Sequence, residues 1–528
     1  MKRRDFMTGM LSESAAAAAS GGDGNRSGIS SVTELTTPLT RMQAFHLLRR
    51  ITFAPTAQMV DHYTGKTAAA AVEELLGAAQ QTLPAKPGPW VDVIEENPLS
   101  VGSNDIRFEI EGRLRSSFRL FSDWWVELMR TDEAPVVEKF VLFWSTVWCI
   151  NFDYDTLALI PPPLVYRNNQ TMRNDHIGNY KKFAEDITLD GAMILFQSLY
   201  YSTKDIPNEN YMRELMELFT MGIGHYTEGD IKEGSRALTG WRTAAYKYDP
   251  HYLDAPFETY FLPDVHDIQG KTFMGESIAA RDEDSNTQEQ VLQGELRRVI
   301  EILFEKRPNA IADFICDKMY RYFIYSDTAA DDAGFIAELS KVFIANDFEL
   351  KPVFKALFTS THFFDEANMG IQIKPPPEFI VGMEQQLGVK YPNARDAIFA
   401  LDQELYNPPN VGSWEAYRTW ISTATFPLRI KFGREIVDLV DDAGFIALAK
   451  KFADYNDPSQ LTEKLVEYFL PMPVDADRLT RYKAALLNGM NEAAWNGLID
   501  ETEPNAAAAA GIKNFVSTIL LSPDFQLS

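Results

Sequence analysis

Residues 113 to 150 read RLRSSFRLFSDWWVELMRTDEAPVVEKFVLFWSTVWCI, and this stretch decides the fold class. Its large apolar side chains recur every three or four residues, which is the spacing of one face of a helix. Pro135 lacks a backbone N–H and fixes φ, so it is expected to separate two helices. Because both helices are rich in aromatic residues, they are predicted to lie at the centre of a large core.

The same spacing predicts helix after helix on either side of this pair. The predicted segments include 41–51, 179–202, 292–304, 309–323, 333–346 and 351–359. Residues 246–290 break the pattern with short extended pieces and a polar loop, which indicates an irregular or β-hairpin insertion. The predicted fold class is therefore mainly α, a large multi-helix domain with one short insertion.

Three parts are predicted along the chain. Residues 1–37 form an export-signal-like and disordered segment, because they are rich in Ala, Gly, Ser and Thr. Residues 38–440 form the main helical domain, which contains the insertion. Residues 441–528 form a C-terminal helical part that is expected to pack on the main domain.

The charge of the chain excludes several classes of partner. Its 528 residues include 75 Asp and Glu against 50 Lys and Arg, which gives a formal net charge of -25. Such a charge repels nucleic acid and anionic membrane surfaces. No stretch approaches the ~18 consecutive apolar residues that a membrane span requires. We therefore expect no nucleic-acid partner and no integral membrane span.

The N-terminus resembles an export signal. Residues 1–7 read MKRRDFM, the twin-arginine form that one bacterial export apparatus recognises. The apolar run that follows is weak, because Ser12, Glu13 and Ser14 interrupt it. This start predicts a periplasmic or extracellular protein. The alternative is a cytoplasmic protein with a basic start on a disordered tail.

Residues 208 to 241, NENYMRELMELFTMGIGHYTEGDIKEGSRALTGW, are the densest polar stretch of the chain. The opening asparagine is predicted to cap a first helix. Gly222 and Gly224 allow a tight reversal, and Thr227 with Asp230 matches the capping box of a second helix. The pattern therefore predicts a helical hairpin.

Acidic residues on this hairpin are candidates for a site. Glu214 and Glu217 stand three residues apart, so both are predicted to project from one helix face, with His225 at the bend. Carboxylates and imidazole bind divalent cations and also transfer protons. The alternative is a structural ion network, in which Arg213 and Arg236 neutralise the glutamates.

A second candidate lies in the loop 263–272, which reads PDVHDIQGKT. His266 and Asp267 can supply a metal ligand or an oriented base, and loops carry functional residues more often than cores do. The alternative is a turn in which Asp267 caps its own backbone. If the two regions meet, a divalent metal ion would be held by Glu214, Glu217, His225 and His266.

Six stretches of the chain match a known family. They are residues 46–53, 208–241, 266–272, 374–378, 408–414 and 520–525. On these residues the chain resembles a large bacterial family catalogued as domain of unknown function 1800. The resemblance covers about residues 38–528. It implies a mainly helical, exported protein and an exported partner of sulfatase-like fold, and it implies no particular activity.

Two functions from different classes follow. The first is an exported hydrolytic or metal-assisted enzyme, whose catalytic residues are His266, Asp267, Glu214, Glu217 and Arg213, the last orienting the carboxylates. The second is a non-catalytic cell-envelope protein that binds or scaffolds a partner, in which the same residues only hold the hairpin. The first function requires that the acidic helix and the His-Asp turn share one polar pocket.

Overall fold

The computed structural model describes residues 32–79, 83–131, 135–153, 160–247, 249, 255–282, 284–328, 332–414 and 416–528. The twin-arginine segment and most of the predicted disordered segment lie outside these residues. The described residues are mainly helical and include two small antiparallel sheets. The predicted fold class is confirmed.

The helices of the first half of the chain precede the strands. In order they are α1 (Arg41–Ile51), α2 (Ala57–Tyr63), α3 (Ala68–Ala78), α4 (Asn104–Arg130), α5 (Pro135–Val147), α6 (Pro162–Asp175), α7 (Tyr180–Thr188), α8 (Gly191–Phe196), α9 (Glu209–Glu214) and α10 (Glu228–Ala237).

The helices of the second half follow the strands. In order they are α11 (Gln288–Val291), α12 (Arg297–Lys306), α13 (Pro308–Phe323), α14 (Asp332–Ala345), α15 (Leu350–Thr359), α16 (Pro376–Leu387), α17 (Ala394–Ala400), α18 (Thr425–Asp438), α19 (Asp442–Ala449), α20 (Pro458–Phe469), α21 (Ala476–Leu487), α22 (Glu492–Ile499) and α23 (Ala506–Leu520).

The aromatic-rich stretch forms the two central helices that the sequence predicts. α4 ends at Arg130 and α5 begins at Pro135, a position where the missing N–H of proline costs no intrahelical bond. Trp125 of α4 and Trp144 of α5 are fully buried. They belong to one continuous hydrophobic core that extends from Leu39 to Phe525.

One predicted helix is divided. The segment 179–202 forms α7 and α8, because Asp190 caps a new helix by accepting hydrogen bonds from the N–H groups of Ala192 and Met193. The side chain of Asp190 is buried, and its burial raises its pKa to about 6. A side chain that bonds the backbone locally competes with helix continuation, which the apolar spacing alone did not indicate.

The insertion consists of two short hairpins and begins five residues earlier than predicted. β1 (Trp241–Thr243) pairs with β2 (Thr259–Phe261), with Trp241 opposite Phe261. β3 (Lys271–Phe273) pairs with β4 (Glu276–Ile278), with Lys271 opposite Ile278. β3 packs against α10, so the insertion lies beside the acidic hairpin.

The C-terminal helices contact the start of the domain. Arg41 of α1 lies 2.8 Å from the carboxylate of Glu467 in α20, and Arg49 donates to the backbone carbonyl of Glu467 at 2.6 Å. The division at residue 440 stays a prediction. None of the described helices has both the length and the apolar character that crossing a membrane requires.

Candidate functional site

The polar block forms the predicted hairpin between α9 and α10. Asn208 caps α9 by accepting from the backbone N–H two residues later. At the bend, Gly222 and Gly224 have φ values of 76° and 94°, which favour glycine. Thr227 and Asp230 form the capping box of α10. These local predictions are confirmed.

The first helix of the hairpin widens where its acidic residues lie. α9 continues as a π-helical turn, Leu215–Thr220. In a π turn the backbone hydrogen bonds join residues five apart instead of four, so each turn contains more residues. The angle about the helix axis between Glu214 and Glu217 is therefore larger than it is in an α-helix. Both side chains are half-buried, but only Glu217 lines the neighbouring cavity.

That cavity is open, has a volume of about 850 Å³, and lies between the hairpin bend and the start of α13. We call it the bend cavity. Its lining includes the polar residues Glu217, His225, Lys306, Arg307, Asp313, Asp317 and Lys318 and the apolar residues Leu218, Met221, Ile223 and Phe314. Small-molecule sites typically have volumes of about 300–1,000 Å³, so the bend cavity is large enough for a ligand.

The two glutamates have different environments. The Tyr226 hydroxyl donates to Oε2 of Glu217 at 2.6 Å. Burial, followed by repulsion from Glu217, raises the pKa of Glu214. Neighbouring carboxyl groups whose environments differ in this way can act as a proton donor and a charged acceptor.

The arginines of the hairpin do not bind these glutamates. Arg213 makes a bidentate pair with Glu228 of α10, with both N–O distances 2.9 Å, because its side chain faces the second helix. Arg236 binds Glu233 and Asp267. The two arginines therefore bond carboxylates other than Glu214 and Glu217, and the orienting role of Arg213 stays a prediction.

His225 lies at the bend, as predicted. Its side chain is exposed and lines the bend cavity together with Glu217. Its backbone carbonyl accepts from Nε of Arg307 at 2.6 Å, which ties the bend to the start of α13. The structure thus brings together two of the predicted site residues.

Lys318 is a site residue that sequence analysis missed. It lies on α13 with its ammonium 4.7 Å from the centre of the Phe314 ring. Burial lowers the pKa of Lys318, and Cys149 is near enough to influence it electrostatically. Glu214 also influences the thiol of Cys149 electrostatically. The sequence feature that could have indicated Lys318 is its position four residues after Phe314, on the apolar side of a helix.

The His-Asp turn belongs to a separate ion cluster around a buried carboxylate, which we call the Glu295 network. It consists of Glu295, His266, Lys271 and Arg281. Lys271 Nζ lies 2.6 Å from one carboxylate oxygen of Glu295, and Arg281 Nε lies 2.5 Å from the other. The side chains of Glu295, His266 and Lys271 have no exposed surface.

The hydrogen bonds of His266 indicate a structural role. Nδ1 lies 2.8 Å from the carbonyl oxygen of Thr239 and 3.1 Å from the hydroxyl oxygen of the same residue. Nε2 lies 3.3 Å from Glu295, and it can bond this carboxylate only by donating. Both ring nitrogens of His266 are therefore occupied by partners inside the protein.

Asp267 also has structural partners. Arg236 of α10 donates to it at 2.7 Å, and the backbone N–H of Gln269 donates to it at 2.9 Å. The second contact is the backbone cap that the sequence offered as the alternative. Asp267 thus binds the turn to the second helix of the hairpin. Of the predicted contact between the hairpin and the His-Asp turn, this part forms.

The predicted metal set does not converge. Glu217 and His225 line the bend cavity, whereas His266 is enclosed by Thr239 and Glu295. In the described part of the chain, no three His, Cys, Asp or Glu side chains are placed to hold a metal ion together. The expectation of one shared polar pocket is wrong, because the second helix of the hairpin binds the His-Asp turn and the first helix lines the cavity.

A further buried ion cluster surrounds Glu378. Lys139 Nζ lies 2.5 Å from Glu378 Oε2, and Lys374 donates to the carbonyl of Phe525 at 2.8 Å. Arg429 donates to the carbonyl of Lys374 at 2.7 Å. Burial lowers the pKa of Lys374 to about 7. These contacts join α5 and α16 to the end of the chain, so we interpret this cluster as structural.

Comparison with known proteins gives a family and no function. A family model described as "Protein of unknown function (DUF1800)" matches residues 46–527. No curated protein shows significant similarity to the chain, and neither does any solved structure.

Proposed function

Because this chain belongs to the DUF1800 family, whose function is unknown, we propose a function from its site: it is an exported protein that binds a small polar ligand in the bend cavity. One observation carries the proposal. The cavity has a volume of about 850 Å³ and is lined by charged side chains from two separate parts of the chain, the hairpin bend and α13. Concave sites with a few convergent polar groups are the usual form of a ligand site.

The position of the charged groups supports binding over mere solvation. Lys318 is half-buried and its ammonium contacts the Phe314 ring, so water has already been partly removed from it. Keeping a charged group partly desolvated costs free energy unless a partner compensates it. A bound ligand would supply that compensation.

A variant that fills the cavity tests the proposal. Ala310 lines the bend cavity, so an Ala310→Trp variant would fill part of it. The matched control is Ala493→Trp on the exposed surface of α22. Each protein is incubated with the small-molecule fraction of a bacterial envelope extract, and bound compounds are identified by native mass spectrometry.

We expect a compound that the wild type and Ala493→Trp retain and Ala310→Trp loses. The proposal is rejected if the wild type retains nothing, or if the two tryptophan variants retain the same compounds. Circular dichroism of both variants confirms that they are folded.

A hydrolytic function is the second candidate, and the raised pKa of Glu214 beside Glu217 favours it. In this mechanism Glu214 donates a proton and Glu217 is the second carboxyl group of the site. Glu214 does not line the cavity, so it would need to act on the ligand through water. If the compound found above is converted to a hydrolysed product, Glu214→Gln and Glu217→Gln should each abolish conversion while Ala493→Trp retains it.

Export is proposed from the twin-arginine start. Replacing Arg3 and Arg4 by lysine should keep the protein in the cytoplasm if the arginines are recognised. Unchanged secretion of this double variant would contradict the proposal. The exported sulfatase-like partner, which rests on family resemblance, is tested by co-purification from the same envelope fraction.

A further inference from the structure

The charges that line the bend cavity divide into two classes. Lys306 is paired with Glu276, and Asp317 is paired with Arg321 at 2.6 Å. Among the described residues, the other charged groups of the lining have no oppositely charged partner. They are Glu217, Arg307, Asp313 and Lys318.

Lys318 is half-buried, as are Glu217 and Arg307. Its ammonium donates no hydrogen bond to any described residue, and it lies 4.7 Å from the centre of the Phe314 ring. An ammonium has three donors and ordinarily uses them. Lys318 lines the bend cavity, where an anionic group of a ligand could accept from those donors.

Arg307 supplies a second positive charge at the same wall. Its Nε donates to the carbonyl of His225 at 2.6 Å, and its Nη1 donates to the carbonyl of Lys306 at 3.0 Å. These bonds hold the guanidinium in place without neutralising it, since both acceptors are uncharged. Within the described chain, no carboxylate approaches it.

In the described part of the chain, the two carboxylates of this set also have no cation paired with them. Glu217 accepts one hydrogen bond, from Tyr226 to Oε2, and its second oxygen has no recorded partner in the described residues. Asp313 is exposed on α13, and no hydrogen bond or ion pair with the described residues is recorded for it. Both carboxylates therefore remain available to a cationic group in the cavity.

Two cations and two carboxylates thus line one cavity without bridging each other. Their separation leaves space that a ligand with both signs of charge can bridge. The apolar walls formed by Leu218, Met221 and Phe314 can receive an apolar side chain between those charges.

Resting on the proposed binding function, we propose that the ligand of the bend cavity is a short peptide with free termini. Its amino group binds Glu217 and Asp313, and its carboxylate binds Lys318 and Arg307. A ligand with a single charge would leave one of the two sets of charges without a partner. The cavity volume of about 850 Å³ is sufficient for a peptide of several residues.

Calorimetry with three forms of one probe tests this inference. The probes are the tripeptide Gly-Leu-Gly with free termini, its N-acetyl form and its C-terminal amide. We expect the free tripeptide to bind at least about tenfold more tightly than either blocked form, since each blocked end loses a charge-assisted contact.

Substitutions test which charged residues bind each end of the peptide. Lys318→Met should weaken binding of the free tripeptide but leave binding of the amide unchanged. Glu217→Gln should weaken the free tripeptide but leave the N-acetyl form unchanged. The matched controls are Lys341→Met and Glu463→Gln, which remove exposed charges outside the cavity.

The peptide inference is overturned if the blocked forms bind as well as the free tripeptide. It is also overturned if no form binds although Ala310→Trp loses an envelope compound, an outcome that leaves the binding function intact. If Ala310→Trp loses no compound, the binding function itself fails.

Discussion

Tyr226 donates its hydroxyl hydrogen to Oε2 of Glu217 at 2.6 Å. Tyr226 follows the hairpin bend and Glu217 precedes it, so the bond joins the two sides of the bend. This bond spans the two left-handed glycines and fixes the wall of the bend cavity. Burial, and then Glu217, raises the pKa of Tyr226 to about 12, so the phenol stays a donor across the physiological range.

The first prediction concerns this bond. Tyr226→Phe should lower the free energy of unfolding by about 1 kcal/mol, the usual net contribution of one hydrogen bond. It should also weaken ligand binding, because the free Glu217 side chain can leave its position. Urea denaturation and calorimetry measure the two effects. Tyr201→Phe, at a side chain with 72% exposure, is the control, and equal effects of both variants would contradict the prediction.

The second prediction concerns the Glu295 network. Glu295→Gln leaves His266, Lys271 and Arg281 without their shared carboxylate, and buried charges that lose their partner cost about 3–5 kcal/mol. Glu289→Gln removes an exposed carboxylate six residues earlier and should change stability by less than about 0.5 kcal/mol. Denaturation midpoints compare the two, and similar values would show that the network does not stabilise the turn.

The third prediction follows from the pKa of Lys374, which burial lowers to about 7. An unfolded lysine has a pKa of about 10.4, so between these values the unfolded state binds more protons than the folded state. The contribution of Lys374 to stability therefore rises as the pH increases from 7 towards 10, and it is constant below 7, where both states are protonated.

Lys374→Met should remove that contribution while it retains the apolar stem. We expect the stability of the wild type relative to Lys374→Met to increase between pH 7 and pH 10 in chemical denaturation. Lys341→Met, at a side chain with 71% exposure, should show no such trend relative to the wild type. Parallel pH curves for wild type and Lys374→Met would refute this prediction.

The fourth prediction compares the two glycines of the bend. Both have positive φ, so alanine at either position should cost about 1–2 kcal/mol. A Cβ at Gly222 would also lie 3.1 Å from the Phe314 ring, whereas a Cβ at Gly224 has nothing within 4 Å. Gly222→Ala should therefore be the more destabilising and should alter the cavity wall. Equal denaturation midpoints would show that Phe314 does not confine Gly222.

Local features of the hairpin could be predicted because their causes lie within a few residues. A cap needs a side chain next to the first turn of a helix, and a reversal needs glycine at a positive φ, so Asn208, Gly222 and Thr227 carried that information. The helix start at Pro135 could be predicted for the same reason. The π turn after Glu214 could not, because the sequence pattern of a π turn is that of an ordinary helix.

The candidate site could be predicted only in part. Glu217 and His225 do line one cavity, and their proximity follows from the hairpin. The sequence predicts His266 to lie with them, because a histidine in a polar loop is a frequent ligand. Glu295, 29 residues further along, is the partner that encloses His266 instead, and no local pattern indicated that contact.

The sequence by itself determined the helical class, the hairpin and its caps, since these depend on spacing and on backbone groups close in the chain. Only the tertiary structure decided which charges meet: Lys139 binds Glu378 across 239 residues, and Lys318 reaches the cavity without a counter-ion among the residues that the structure describes. The physical reason is that the strength of an ion pair depends on distance and desolvation, and packing alone sets both.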